Sequence, residues 1–316
     1  MTTFAPDVKK LLELAQKSGR PPFEALSPAD ARSAYAVGWD VVQSPAERVA
    51  SVRNLSIAGP GGALNLRVYR GAGTQPEALL PGLVFLHGGG WVIGNLDSHD
   101  RMCRQLANRA RCCVVAVDYR LAPEHVFPAA VDDCAAAWQW VAEHSAELAI
   151  IPGRLAVGGD SAGGNLAAVL ALMGRDGTLL PAIFQLLMYP VVDLRAQSPS
   201  YQRVTAGVPL TAATMHYFIG HYVPEQADRL DWRASPWLVS SLLNTPPALV
   251  LTVGNDPLCD EGRAYAQRLE DEGVRVTALH LNDQMHGVMT QGNFVKASHF
   301  LVDYLGAVLG DELHRA

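Results

Sequence analysis

One serine in this chain stands where its hydroxyl could become a nucleophile. Ser161 lies in Gly158-Gly159-Asp160-Ser161-Ala162-Gly163-Gly164, between the apolar run Leu155 to Val157 and the helix-like run Asn165 to Met173. The pattern puts the serine on a sharp turn from strand into helix. Side chains at Gly159 or Gly163 would collide with that turn or with the helix packing beneath it, so glycine is needed at both. The hydroxyl then stands at the carboxyl edge of a sheet, near the positive end of the next helix, where developing negative charge is stabilised. Acyl transfer is the chemistry such an arrangement serves. Gly-rich turns also occur for packing alone, so the rest of the chain must supply a base, an acid and an oxyanion site.

A serine hydroxyl is a poor nucleophile at neutral pH and needs a nearby base, usually an imidazole oriented by a carboxylate. On a strand-turn-helix elbow of this type the partners follow in the order Asp or Glu, then His, in loops at the same sheet edge. The sequence offers that order once. Val253-Gly254-Asn255-Asp256-Pro257-Leu258 leaves a seventh strand, and Asp283-Gln284-Met285-His286-Gly287 leaves an eighth. Asp256 is the expected acid and His286 the expected base. Asp260 and Asp283 compete for the acid's role, but Asp256 directly follows its strand, whereas Asp260 is expected to cap the next helix or to enter a salt bridge. His216, His221, His280 and His299 fall within helical or strand patterns and read as packed or surface residues.

Attack on an ester or amide also creates an oxyanion, which needs backbone N–H donors. The run His87-Gly88-Gly89-Gly90-Trp91 follows the third strand and lets the main chain approach a ligand with N–H groups free. Ala162, right after the serine, would donate the remaining N–H. A nucleotide loop is excluded, because no G-x-G-x-x-G opens a helix and no G-x-x-x-x-G-K-[ST] is present.

These residues need a scaffold, and the hydrophobic pattern supplies one. Val8, Leu11, Leu12 and Ala15 have helical spacing that Gly19, Pro21 and Pro22 end; Ser27 would cap a second helix beginning at Pro28, with Asp30 in its first turn. Val52 to Ile57 and Leu64 to Tyr69 alternate as an antiparallel hairpin, whose Gly59-Pro60-Gly61-Gly62 turn reads as slightly longer than minimal. Short continuous apolar runs then alternate with helical segments: strands at Leu83 to Leu86, Cys113 to Val117, Leu155 to Val157, Ile183 to Met188, Ala248 to Val253 and Val274 to Leu279, helices near 98–110, 129–143, 165–173, 261–271 and 293–309. That is the grammar of buried parallel strands with crossover helices. The expectation is an α/β fold with a mixed, mostly parallel sheet of about eight strands. Between Tyr189 and Pro236 the rhythm breaks off, leaving one helix near Thr211 to His221 and the aromatics Tyr201, Tyr217, Phe218, Tyr222, Trp232 and Trp237. Such an insertion could cover a pocket, with the N-terminal helices beside it. The expected organisation is N-terminal helices of a cap at 1–48, core at 49–190, cap insertion at 191–236 and core again at 237–316.

Composition narrows the partners. Asp and Glu outnumber Lys and Arg, 31 to 25, which argues against a binder of phosphate backbones. No apolar span reaches twenty residues, and the charged first turns do not read as a signal peptide, so no membrane insertion and a cytoplasmic location are expected. The five cysteines, Cys103, Cys112, Cys113, Cys134 and Cys259, show no zinc-like spacing and read as reduced and packed.

Taken together, His87 to Gly90, Gly159 to Gly163, Asp118-Tyr119-Arg120-Leu121-Ala122-Pro123-Glu124-His125, Asp256-Pro257-Leu258 with Asp260-Glu261-Gly262, and His286-Gly287 resemble the bacterial hormone-sensitive lipase family of carboxylesterases. The resemblance runs from about residue 50 to the C-terminus. It implies an α/β-hydrolase core under a helical cap and hydrolysis of short to medium acyl esters, with no metal and no organic cofactor. It also implies that Gly89 and Gly90 join Ala162 as oxyanion donors, that His87 and Gly88 shape their loop, and that Tyr119 to His125 give structural support. Val126 stands where the family often has proline, and Val288 where an aromatic often follows the His-Gly pair and would alter the pocket wall near the base. An amidase or a lactone or carbamate hydrolase using the same residues is the alternative, and a non-catalytic binder of a small hydrophobic ligand a more distant one. A homodimer paired along the last strand is also consistent with the sequence.

Overall fold

The computed structural model describes residues 3–315. The outermost residues of the first and last segments therefore lie outside the description. Helices α1 (Pro6–Lys17) and α2 (Pro28–Val42) come first, and Ser27 caps α2 by accepting the N–H of Asp30. Strands β1 (Ser51–Gly59) and β2 (Gly62–Arg70) follow, then β3 (Leu80–Leu86), α3 (Asp100–Ala110), β4 (Cys113–Asp118), α4 (Ala129–Glu143), β5 (Ile150–Asp160), α5 (Ala162–Arg175) and β6 (Gln185–Met188). The insertion carries α6 (Pro199–Arg203) and α7 (Ala212–Tyr222). The chain closes with β7 (Ala248–Asn255), α8 (Cys259–Asp271), β8 (Val276–Met285) and α9 (Lys296–His314).

The eight strands form one sheet in the order β1-β2-β4-β3-β5-β6-β7-β8. β2 runs antiparallel to both β1 and β4, and every later pairing is parallel. Alternate residues of each central strand enter different cores. Leu83 and Phe85 of β3 pack with α3, α9 and α1 on one face, while Val84 and Leu86 pack with α4 and α5 on the other. Helices on both faces explain why β3, β4 and β7 read as unbroken apolar runs rather than alternating ones.

Two sheet features differ from the sequence reading. Gly59 pairs with Gly62, so the hairpin turn is only Pro60-Gly61 and is shorter than expected. β8 extends six residues beyond Leu279 to Met285, which puts Asp283 inside the strand. The polar residues His280, Asn282 and Asp283 end the apolar run without ending the strand, because β8 is an edge whose side chains are largely open to solvent. Between the pairs Val253–Leu281 and Asn255–Met285, β8 spends three residues where β7 spends one. This bulge turns the end of β8 toward the end of β7.

Candidate active site

The elbow at Ser161 is built as its glycines require. Ser161 has φ +55° and ψ −117°, a conformation costing a non-glycine residue about 1–3 kcal/mol. Its N–H donates to Met188 O (2.8 Å), and its carbonyl accepts from Asn165 (3.0 Å), so β6 and α5 hold the strained turn. A Cβ on either Gly159 or Gly163 would run into the carbonyl of Leu86. No other residue type fits there without moving β3.

β7 and β8 bring the other two candidates to the same edge. His286 Nε2 lies 2.9 Å from Ser161 Oγ, and His286 Nδ1 lies 2.7 Å from Asp256 Oδ2. Asp256 is wholly buried, and its second oxygen accepts the N–H of Leu258 (2.9 Å). An ionised carboxylate only accepts hydrogen bonds, so Nδ1 carries the proton and Nε2 is left to receive that of the serine. The bulge in β8 sets this approach. A Cβ on Gly254 would strike the carbonyl of Asn282, and the Asn255 amide reaches Gln284 O (3.2 Å) and Thr3 O (3.3 Å). Gly254 and Asn255 thus shape the site although sequence reasoning gave them no role; their only signal was their position directly before Asp256.

The loop after β3 lies alongside. Gly89 and Gly90 have φ of +123° and +58°, and among the described residues their N–H groups meet no protein acceptor. Ala162 opens α5, so its N–H has no intrahelical partner either. The loop is tied from behind. The N–H of Gly88 donates to Asp160 Oδ1 (2.8 Å), which also lies 3.1 Å from His99 Nε2. Burial works to raise the Asp160 carboxyl, but His99 and the Gly88 N–H outweigh it and hold it below its usual range. His87 stacks on Tyr119 at 4.3 Å, and Tyr119 donates its hydroxyl proton to His87 O (2.6 Å). Burial, reinforced by His99, pushes the His87 imidazole down to about 3, so it is neutral and serves as packing. His99 was missed because nothing local marks it: it precedes α3 and meets Asp160 only in the fold.

The competing residues are elsewhere. Asp260 is not the cap of α8; it lies in the first turn, behind Leu258 at the cap position, and its carboxylate meets Arg203 at 3.1 Å. Asp283 is exposed on β8, and Val288 is buried in the core beneath α9 rather than on an open wall. Tyr189, which follows β6 with φ +37°, sets its ring 4.6 Å from that of His286. The N-terminal segment and the insertion meet over the glycine loop after β3. Phe23 packs on Phe218 (6.0 Å), Thr214 donates to Glu24 (2.7 Å), and Arg32 donates to Val92 O and Ala122 O (2.8 Å each) and pairs with Glu124. Open hollows of about 430 Å³ beside α2 and about 510 Å³ between α8 and β8 include no residue of the Ser161–His286–Asp256 line. All five cysteines are free and buried, and among the described residues no three His, Cys, Asp or Glu side chains are grouped to hold a metal.

A family model described as the alpha/beta hydrolase fold matches residues 83–290. The chain belongs to the α/β-hydrolase family. Within it, the hormone-sensitive lipase and carboxylesterase branch is the one its motifs and relatives share. This hydrolase is 39% identical over 290 residues to an ethyl acetate hydrolase of Pseudomonas putida, covering 91% of each chain. Its fold matches an ester hydrolase from the metagenome of Lake Arreo, solved with a bipyridine phosphonate derivative, at TM-score 0.93 and 41% identity over 98% of both chains. It also matches a thermostable esterase from Pseudomonas putida ECU1011 at TM-score 0.95 and 35% identity, over 100% of this hydrolase and 99% of that chain. No helix among the described residues is long and apolar enough to cross a membrane.

Proposed function

We propose that this hydrolase is a serine carboxylesterase that cleaves short- to medium-chain esters of small molecules through an acyl-enzyme on Ser161. The observation that carries the reading is the unbroken line of hydrogen bonds from Ser161 Oγ through His286 to the buried Asp256. His286 takes the serine proton as Oγ attacks the ester carbonyl, then gives it to the leaving alcohol. Water, deprotonated by the same imidazole, releases the acid. Asp256 keeps the proton of the neutral base on Nδ1 and stabilises the imidazolium. The N–H groups of Gly89, Gly90 and Ala162 receive the oxyanion, with His87, Gly88, Gly159, Asp160 and Gly163 shaping the two loops that carry them.

In this reading, residues 1–48 and 191–236 form a cap over a core of 49–190 and 237–316; the Phe23–Phe218 packing and the Thr214–Glu24 bond support it. A second copy would add along β8, one of the sheet's two edges, and five unpaired buried thiols favour a reducing cytoplasm.

The test is hydrolysis of p-nitrophenyl esters from acetate to palmitate, beside Ser161→Ala with its folding checked by circular dichroism. Turnover on short chains that the folded variant loses is the expected result. Inactivity of the folded wild type at every chain length would sink the reading. Faster cleavage of an amide than of its matched ester would make the enzyme an amidase.

A further inference from the structure

We infer that Ser200, in the first helix of the insertion, is a positioning residue for the acid Asp256, so that the insertion holds the catalytic constellation as well as covering it. The inference rests on the reading of Asp256 as the triad acid. Only Pro257 and Leu258 separate Asp256 from α8. That short connection must keep the carboxylate facing His286, yet two of its backbone groups have no partner in the sheet or in α8. Among the described residues the Pro257 carbonyl accepts no backbone N–H, and the N–H of Asp260, in the first turn of α8, has no intrahelical acceptor.

One buried hydroxyl satisfies both. Ser200 Oγ donates to Pro257 O at 2.6 Å and accepts the N–H of Asp260 at 3.2 Å, and Ser200 is fully buried. The staple spans the segment directly after the acid, and it comes from α6 rather than from the core. Two further ties join the same partners. Arg203, also on α6, forks onto Asp260 (3.1 and 3.2 Å), and Glu261 Oε1 accepts the N–H groups of Val192 (2.8 Å) and Asp193 (3.3 Å) at the root of the insertion. The Arg203 pair is partly exposed and contributes little. The hydroxyl is the tie whose loss would leave buried backbone groups unpaired next to the acid, and a shift of about an ångström in a catalytic group costs roughly a hundredfold in rate.

The experiment is a double-mutant cycle on p-nitrophenyl acetate, with active sites counted by a serine-reactive phosphonate. Ser200→Ala is expected to lower kcat roughly tenfold to a hundredfold with KM changed less than about twofold. In the Asp256→Asn background the same substitution is expected to change kcat less than about twofold, because the function it supports is already gone. A wild-type kcat in Ser200→Ala, or an equal fall in both backgrounds, overturns the inference. If Ser200→Ala does not fold, Ser200→Cys keeps the volume with a weaker donor and is judged by the same two readouts, with a several-fold fall expected. An inactive wild type, or full activity in Asp256→Asn, counts against the esterase or triad reading itself and separates that failure from this one.

Discussion

Phe218, from the longer helix of the insertion, lies so close over Gly90 that a Cβ on the glycine would collide with Cγ and Cδ2 of its ring. The glycine loop after β3 is thus pressed directly against the insertion, at a glycine whose φ of +58° already disfavours any side chain. Gly90→Ala must displace either the ring or the loop. The expected result is a fall in kcat of roughly 10²–10³, the loss of one oxyanion donor worth about 2.7–4 kcal/mol. Phe218→Ala added to Gly90→Ala should recover part of the thermal stability but little activity, since it takes the ring out of the collision but leaves its own Cβ 2.8 Å away and leaves the backbone strain. Melting curves and kcat on the four proteins of this cycle check both statements.

Asp256→Asn retains the shape of the acid, and its side-chain oxygen can still accept from Leu258. It no longer fixes the proton of His286 on Nδ1, because an amide presents a donor as readily as an acceptor. A fall in kcat of roughly 10⁴ with KM little changed is expected, the size of loss seen where a triad histidine takes the wrong tautomer. A loss below about tenfold would return the acid's role to open competition.

Much of this arrangement was legible because the motifs are local. The Ser161 elbow, the glycine run after β3 and the Ser27-Pro28 helix start each depend on a few adjacent residues, and strands covered on both faces announce themselves as apolar runs. Structure that depends on distant partners was not legible. α6 begins with Ser198-Pro199 much as α2 begins with Ser27-Pro28, but five residues carry no apolar period to mark a helix. The end of β8 hid behind its polar, solvent-facing residues, and with it the bulge that delivers His286. His99, Asn255 and Ser200 acquire their roles only through bonds to residues 27 or more positions away in the chain.

Glu261 makes a prediction about pH. Burial, with the charge of Asp193 adding to it, raises its carboxyl well above the ordinary 4.5, against the pull of the Val192 N–H. The fold therefore holds the neutral acid, while the unfolded chain ionises it freely. Stability from this group is complete below about pH 4.5 and is lost progressively as pH rises from there toward the elevated folded value. Glu261→Gln keeps an acceptor for Val192 and does not titrate. Its melting temperature relative to wild type should climb between pH 4 and pH 8; a difference that stays flat would show that Glu261 is ionised in the fold.

Arg32 tests the covering role of the N-terminal helices. Its guanidinium spans the carbonyls of Val92 and Ala122 and the carboxylate of Glu124, pinning α2 beside the glycine loop after β3. The pair holds Glu124 down to about 2. Three acceptors divided among Nε, Nη1 and Nη2 suit a guanidinium fork and not an ammonium. Arg32→Ala and Arg32→Lys should both speed amide exchange in residues 28–42 and raise KM for longer acyl chains, with kcat on acetate within about threefold of wild type. Unchanged exchange in that helix would mean that α2 is held by its apolar contacts alone.

Asn255 lies between Asp256 and the bulge that presents His286. Its amide nitrogen reaches Gln284 O at 3.2 Å and Thr3 O at 3.3 Å, and the residue is 1% exposed. Asn255→Ala leaves those carbonyls without their donor and opens the gap between the ends of β7 and β8. Leaving the buried Gln284 acceptor unpaired costs about 1–3 kcal/mol, which sets the expected loss of stability. His286 directly follows the bulge, so its ring should also lose its fixed distance to Ser161, and kcat should fall with KM little altered. Asn255→Asp separates the two effects. A carboxylate cannot donate to those carbonyls and adds a negative charge beside Asp256, so it should lose more activity than alanine at similar or lower stability. Wild-type kcat in both variants would mean that the bulge keeps its shape without Asn255 and that β8 alone aims His286.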